Sequence, residues 1–175
     1  MYRSINDFLA DWKYESEATT KIFSLITPET SKEKIHANVR SIQRLAWHLT
    51  QTITEMGTRA GLLDQDALEH EQAPESMEAL VEAYSNYSIL LSRAVQLRWT
   101  DSSLSEKVPM YGDSWEKGKI LRILVAHQSH HRGQMTVIMR MLGLPVLSLV
   151  CMTPLKKSGL KWVSLPWIKL RTFLN

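Results

Sequence analysis

Apolar residues recur at helical spacing in four long segments of the chain, which predicts four amphipathic helices. The segments are residues 5–23, about 39–61, about 76–97 and about 114–142. Ser76 is the predicted N-cap of the third helix, and Gly143 and Pro145 end the fourth. Residues 26–35 are expected to form a loop, and residues 111–113 a short hairpin turn. Because no strong strand alternation is present, the pattern predicts an all-α four-helix bundle.

Composition and charge narrow the function classes. The net charge is +3, but residues 146–175 carry five basic and no acidic side chains, so the rest of the chain carries 16 basic and 18 acidic ones. No basic stripe crosses this body, so nucleic-acid binding is not expected. No apolar run approaches the roughly 20 residues that span a bilayer. The single cysteine, Cys151, excludes an internal disulfide, and a cytoplasmic protein without a membrane partner is expected.

Three of the six histidines lie within residues 127–131, in a segment that otherwise has a core-like pattern. His127 and His131 are one helical turn apart on the predicted inward face, whereas His130 is turned toward the surface. An (i, i+4) pair of imidazoles can bind one metal ion. A buried histidine that only hydrogen-bonds a backbone or hydroxyl group gives the same pattern, so the pair alone leaves both interpretations open.

His48, in the stretch LAWHLTQT, lies beside the inward stripe of the second helix and is the third candidate ligand. If the second and fourth helices pack together, three neutral imidazoles and one open position would form a catalytic zinc-type site. Nickel, cobalt and iron also accept nitrogen ligands, so the pattern does not fix the metal. Glu55, seven residues after His48, is a candidate general base or a carboxylate that supports a ligand.

The stretches RSIQRLAWHLTQT and AHQSHHRGQMTVIMRMLGLPV together resemble the DinB family of damage-inducible proteins. The resemblance covers about residues 1–146 and implies an antiparallel four-helix bundle with long crossover connections. It also implies that His48, His127 and His131 are ligands of a divalent metal ion, with zinc or nickel favoured, in a protein that forms a homodimer. Relatives include bacillithiol S-transferases and a mycothiol-dependent maleylpyruvate isomerase.

Three residues around the last histidines carry further expectations. Gln128 stands where relatives often have an acid, so support of the ligands is expected to differ here. Arg132 is expected to leave the core face and to pair with an acid on another helix or subunit. Gly133 costs about 1 kcal/mol in a helix interior relative to alanine, which predicts close packing against a neighbour.

The predicted domains are a DinB-like bundle at residues 1–145 and an atypical basic tail at residues 146–175. Relatives continue after GLPV with an acidic ending similar to PGVYGPAKEEW. With suitable codons, the bases that encode PLKKSGLKW also encode AKEEWSKM in another frame. We therefore interpret the tail as a frameshift product. Sequencing of the gene around Val146 would reject this hypothesis if no open second frame encoded the family ending.

The leading functional hypothesis is a metal-dependent S-transferase that uses a low-molecular-weight thiol of the bacillithiol type as co-substrate. A metal cation would hold such a thiol as thiolate at neutral pH. This chemistry is implied by the resemblance. One alternative is a metal-dependent hydrolase with Glu55 as base, and the other is a non-catalytic metal-binding or stress protein. Both enzymatic hypotheses expect a small-molecule substrate.

Overall fold

The computed structural model describes residues 1–146 of the chain. Regular structure in this part consists of five α-helices, a short 3₁₀ helix and a two-stranded hairpin. In chain order the elements are α1 (Ile5–Phe23), α2 (Pro28–Ser31), α3 (Ile42–Arg59), α4 (Met77–Arg98), the 3₁₀ helix (Asp101–Ser105), β1 (Lys107–Met110), β2 (Asp113–Glu116) and α5 (Lys117–Met141). The predicted basic tail lies outside the described residues except for Val146, so its frameshift origin stays a prediction.

The four long helices form the predicted bundle. Both α1 and α3 pack against α4 and α5. Helix α1 is antiparallel to α4, since Ile5 at its start donates its backbone N–H to Asp101, just beyond the end of α4. Helix α3 is antiparallel to α5, since Arg40 before its start and Val137 near the end of α5 line one cleft. Within residues 1–146, every helix is too short or too polar to cross a lipid bilayer.

The long connection between α3 and α4, residues 60–76, runs back along the side of α3. Three side chains of α3 bond to it in reverse order: Thr54 to Asp66 at 2.6 Å, Gln51 to the Leu68 carbonyl at 2.9 Å, and Trp47 to the Glu71 carbonyl at 3.1 Å. Helix α4 therefore begins beside the start of α3, where the Gln43 amide donates to the Pro74 carbonyl. This return path is one of the predicted crossover connections, and it covers one flank of α3 while leaving the side toward α5 free.

Serine side chains fix where three of the long helices begin. Ser4, Ser41 and Ser76 each accept a hydrogen bond from the backbone N–H three residues later, which satisfies one of the unpaired donors of the first turn. The cap predicted at Ser76 is thus confirmed. Because the cap of α3 is Ser41, that helix begins three residues later than the apolar pattern suggested.

Two other boundaries differ from the prediction. Ser114 does not begin the fourth long helix, because it pairs with Pro109 in the hairpin, and α5 begins at Lys117. The expected loop at residues 26–35 contains the short helix α2, which starts at Pro28, a residue whose fixed φ suits the first helical position. The predicted hairpin is confirmed, and its two-residue turn has positive φ at both Tyr111 and Gly112, as in a type I′ turn.

A single apolar core fills the space between the four helices. The apolar residues at helical spacing on the inward faces of α3 and α4 are buried, apart from Tyr87, which is half-buried at the edge. The fully or nearly fully buried members of these two stripes are Ile42, Leu45, Leu49, Ile53, Met56, Leu80, Tyr84, Leu91 and Val95. Burial of such side chains contributes about 1.5–3 kcal/mol each to folding. The shared core therefore holds all four long helices, α3 and α5 among them, in fixed positions around the site described next.

Candidate metal centre

Three imidazoles from two helices converge between α3 and α5. His48 comes from α3, and His127 and His131 lie one turn apart on α5. One ring nitrogen from each histidine lies within 4.8 Å of the others. The Nε2 atoms of His127 and His131 are 3.1 Å apart. The predicted packing of the second and fourth long helices therefore brings the three candidate ligands together.

This donor set fits a divalent metal ion. Two nitrogens bound to one tetrahedral zinc ion at about 2.0–2.1 Å lie about 3.3–3.4 Å apart, close to the separation of the two Nε2 atoms. No fourth histidine, cysteine or carboxylate joins the cluster within residues 1–146. Structural zinc sites are normally closed by four protein ligands, whereas catalytic sites use three and keep one position for water or substrate. Within the described residues, the three histidines match the ligand count of an open site.

Burial keeps the three imidazoles neutral. It lowers the pKa of His48 to about 4, and electrostatic interactions with His131, Arg40 and Arg44 act in the same direction. Burial also lowers the pKa of His127 to about 4, with further contributions from the neighbouring histidines. The pKa of His131 is lowered for the same main reason, although its bond to Gln134 opposes the shift. Metal ions bind neutral imidazole, so the site needs no proton release at neutral pH.

Gln134 orients the His131 ring. The Gln134 Oε1 atom lies 2.7 Å from His131 Nδ1, so this nitrogen donates and the Nε2 lone pair is left for a metal ion. The Gln134 amide is in turn 3.1 Å from Nε2 of His130, which is exposed as predicted. The role of Gln134 was not predicted from the sequence, although its position one turn after His131 was a usable signal.

Gln128 does not support the ligands. Its side chain is fully buried, and its Oε1 accepts a hydrogen bond of 2.9 Å from the Tyr84 hydroxyl in the bundle core. The Nδ1 atom of His127 is buried and has no hydrogen-bond partner within the described chain. This chain thus has Gln128 at the position where an acid was expected from the resemblance. In this part of the chain, the Nδ1 atom of His127 lacks the carboxylate or carbonyl partner that usually orients a ligating histidine.

Arg132, next to His131, ties α5 to α1. Its guanidinium lies 2.6 Å from the Glu15 carboxylate and also bonds the Thr19 hydroxyl at 3.2 Å. Both charged side chains are largely buried, at 7% and 14% exposure. The predicted pairing with an acid on another helix is confirmed. The close packing predicted for Gly133 is wrong within residues 1–146, because an added Cβ would meet no side chain or neighbouring element of this part within 4 Å, and nothing there explains this glycine.

Two clefts reach the histidines. The His48 cleft, of about 380 Å³, lies between α3 and the return connection, and its walls are His48, Gln51, Thr52, Glu55, Thr58, Arg59, Asp66 and Glu69. The His131 cleft, of about 600 Å³, lies between the start of α3 and the end of α5, and its walls are Ile35, Asn38, Val39, Arg40, Leu45, His131, Gln134, Val137 and Ile138. The cluster is therefore accessible to small molecules from two directions.

Glu55 lies in the wall of the His48 cleft, about two turns along α3 from His48. Its carboxylate is 3.3 Å from the guanidinium of Arg59, one turn further on. The Tyr111 hydroxyl from the hairpin turn also faces this carboxylate. Burial and the charge of Glu55 raise the pKa of Tyr111 to about 12, so the phenol stays protonated and can donate to Glu55. Glu55 is thus held by two partners at the edge of a cleft that reaches the cluster.

The metal-free protein is expected to lose stability as the pH falls from about 7 to about 5. His48 and His127 titrate near 4 when folded but near the ordinary value of 6.5 when unfolded, so the unfolded chain binds more protons in this range. Thermal melts followed by circular dichroism should show this decrease and a plateau above pH 7. A His127→Gln variant should show a shallower decrease, and an equal decrease in both proteins would contradict the assignment.

The sequence and the fold have close relatives. The family model described as DinB family matches residues 1–154. The Bacillus subtilis (strain 168) protein named uncharacterized protein YrdA is 34% identical over 146 residues, which is 83% of this chain and 87% of that protein. The crystal structure of a DinB-like protein from Bacillus cereus ATCC 10987 superposes with a TM-score of 0.75 at 32% identity, covering 84% of this chain and 98% of that one. A DinB-like protein of Bacillus subtilis, YjoA, is similar in fold, with a TM-score of 0.65 at 14% identity over 80% of this chain and 96% of its own.

Proposed function

Since the chain belongs to the DinB family, we propose that it is a metal-dependent enzyme that transfers a low-molecular-weight thiol of the bacillithiol type to an electrophile. One observation carries this proposal: three neutral imidazoles from α3 and α5 converge where two clefts meet the cluster. Three ligands hold a divalent ion and leave a position for a substrate atom. Zinc and nickel both accept such nitrogen ligands.

In this proposal, each residue of the site has a separate role. His48, His127 and His131 hold the ion, and Gln134 keeps Nε2 of His131 directed toward it. The chemistry that a bound divalent cation supplies is to lower the pKa of the thiol, so that the thiolate predominates at neutral pH. Glu55 lies on the cleft that reaches His48 and would accept the thiol proton directly or through water.

The test uses tag-free protein loaded with zinc or nickel. With bacillithiol and 1-chloro-2,4-dinitrobenzene, a C–S bond forms, chloride leaves and the thiol proton passes to Glu55 or to solvent. We expect turnover that depends on both metal and thiol, measured from the absorbance of the conjugate. Metal-loaded protein that is inactive with bacillithiol, mycothiol and cysteine toward several electrophiles would reject the transferase proposal.

Hydrolysis is the second candidate, and the position of Glu55 favours it as well. A carboxylate held by Arg59 and Tyr111 in the wall of the cleft that reaches His48 would act as general base for water. Turnover of ester or amide substrates without any thiol would select this function. Stoichiometric metal with neither activity would select the third possibility, a binding protein without catalysis.

Replacing Glu55 with glutamine is expected to lower kcat by about 10²–10⁴-fold, the usual contribution of a positioned general base. Metal content should not change, because Glu55 is not part of the histidine cluster. The matched control is Glu69→Gln, which removes the same charge from the same cleft and should keep kcat within about threefold. Equal activities of the Glu55 and Glu69 variants would remove Glu55 from the mechanism.

The homodimer implied by family membership remains a prediction. Three large apolar side chains on α4, Ile89, Leu90 and Leu97, are exposed in the single chain. Exposed apolar surface of this kind is compatible with a second copy packing against α4.

A further inference from the structure

The two clefts that reach the histidine cluster differ in charge. The His48 cleft carries the carboxylates of Glu55, Asp66 and Glu69 against the single guanidinium of Arg59. Among its described walls the His131 cleft carries one permanent charge, the guanidinium of Arg40, and no carboxylate. An anionic molecule is therefore attracted to the His131 cleft and repelled from the other.

Arg40 differs from Arg59 and Arg132 because it has no acidic partner among the described residues. Within residues 1–146, Arg40 forms no ion pair, whereas Arg59 pairs with Glu55 and Arg132 with Glu15. The Arg40 guanidinium is nevertheless close enough to the cluster for its charge to act on the His48 and His131 rings. An exposed guanidinium beside a cleft, without a carboxylate of its own, is a ready partner for a carboxylate or another anion on a ligand.

The rest of the His131 cleft is mainly apolar. Ile35 and Val39 come from the segment before α3, Leu45 from α3, and Val137 and Ile138 from α5. Val137 is 55% exposed, so this wall offers apolar surface to a ligand. The cleft volume of about 600 Å³ falls within the range of about 300–1,000 Å³ that is usual for small-molecule sites. Polar groups are concentrated at Arg40 and Asn38 on one side and at His131 and Gln134 on the other.

We propose that the His131 cleft binds the acceptor substrate and that this acceptor is an apolar carboxylate. Its carboxylate pairs with Arg40, its apolar body lies along Val137 and Ile138, and its reactive end faces His131. This assignment rests on the proposed transferase function. It predicts that substrate preference depends on Arg40, a residue outside the metal cluster.

The test measures binding in the metal-free full-length chain by isothermal titration calorimetry, with octanoate and neutral octanamide as probes. Octanoate should bind the wild-type protein and lose about tenfold in affinity in an Arg40→Gln variant, because a charge-assisted pair is worth about 1.4 kcal/mol or more. Octanamide should bind both proteins equally. The matched control is Arg44→Gln, which removes the same charge four residues later, outside the cleft, and should change octanoate affinity less than about twofold.

A Val137→Glu variant tests the apolar wall and the charge preference of the cleft together. Since Val137 is exposed, the substitution should leave the fold intact, and it should weaken octanoate binding by at least as much as the Arg40 variant does. Octanoate affinity that is independent of both residues, or that appears only after metal is added, would overturn the inference. Because the titration uses metal-free protein, that result would not decide the proposed transferase function. Metal content and turnover test that function independently.

Discussion

Replacing His131 with alanine is expected to release the metal ion from the protein while the bundle stays folded. Within residues 1–146, His131 supplies one of three converging nitrogens, so two ligands remain in this part of the chain. Loss of an outer-shell partner alone usually costs about 10–100-fold in metal affinity, and loss of a ligand should cost more. The fold should survive because the buried His131 imidazole is not part of the apolar core. Elemental analysis of tag-free protein and thermal melts followed by circular dichroism measure the two effects.

The neighbouring histidine provides the control for this experiment. His130 packs against the His131 ring at 4.9 Å and bonds Gln134, but it is exposed and lies outside the cluster, so His130→Ala should retain the metal. His48→Ala should behave like His131→Ala, because the site needs α3 as well as α5. Stoichiometric metal in the His131 variant would disprove the site. Unfolding of that variant would instead indicate a structural ion, with a stability that depends on metal concentration.

The bundle and the paired histidines of α5 could be predicted because their signals are local. Helical spacing of apolar residues placed α1 at the observed bounds, and it placed His127 and His131 on one inward face. Serine capping is equally local, which explains why Ser76 was identified correctly. Such signals depend on the backbone geometry of a single element and not on its neighbours.

The remaining features depend on how the elements meet. Whether His48 faces α5 depends on the rotation of α3 within the bundle, so spacing alone made it a candidate and family resemblance was needed to assign it. The pairing of His131 with Gln134 requires a particular rotamer of each side chain. The bond of Gln128 to Tyr84 in the core and the open space beside Gly133 also depend on the neighbouring helices, so spacing within α5 did not predict them. The position of Arg40 beside the His131 cleft depends on how the segment before α3 meets α5, so it could not be predicted from the sequence.

Replacing Arg132 with alanine is expected to destabilise the metal-free protein by about 3–5 kcal/mol, the usual cost of removing one partner of a buried ion pair. The variant would leave the Glu15 carboxylate buried with only the Ser129 hydroxyl bonded to it at 2.8 Å. It would also remove the hydrogen bond to Thr19. Urea unfolding at pH 7, followed by circular dichroism, gives the change in the free energy of unfolding.

An exposed pair and a double variant separate this effect from the general cost of losing an arginine. Arg98 and Asp64 form a similar contact at 2.9 Å, but their side chains are 46% and 85% exposed, so Arg98→Ala should cost at most about 1 kcal/mol. Adding Glu15→Gln to the Arg132 variant should recover part of the loss, because the uncompensated buried charge is then gone. If Arg132→Ala lost no more stability than Arg98→Ala, the pair would not hold α5 against α1. The position of His131, one residue away, would then rest on apolar packing alone.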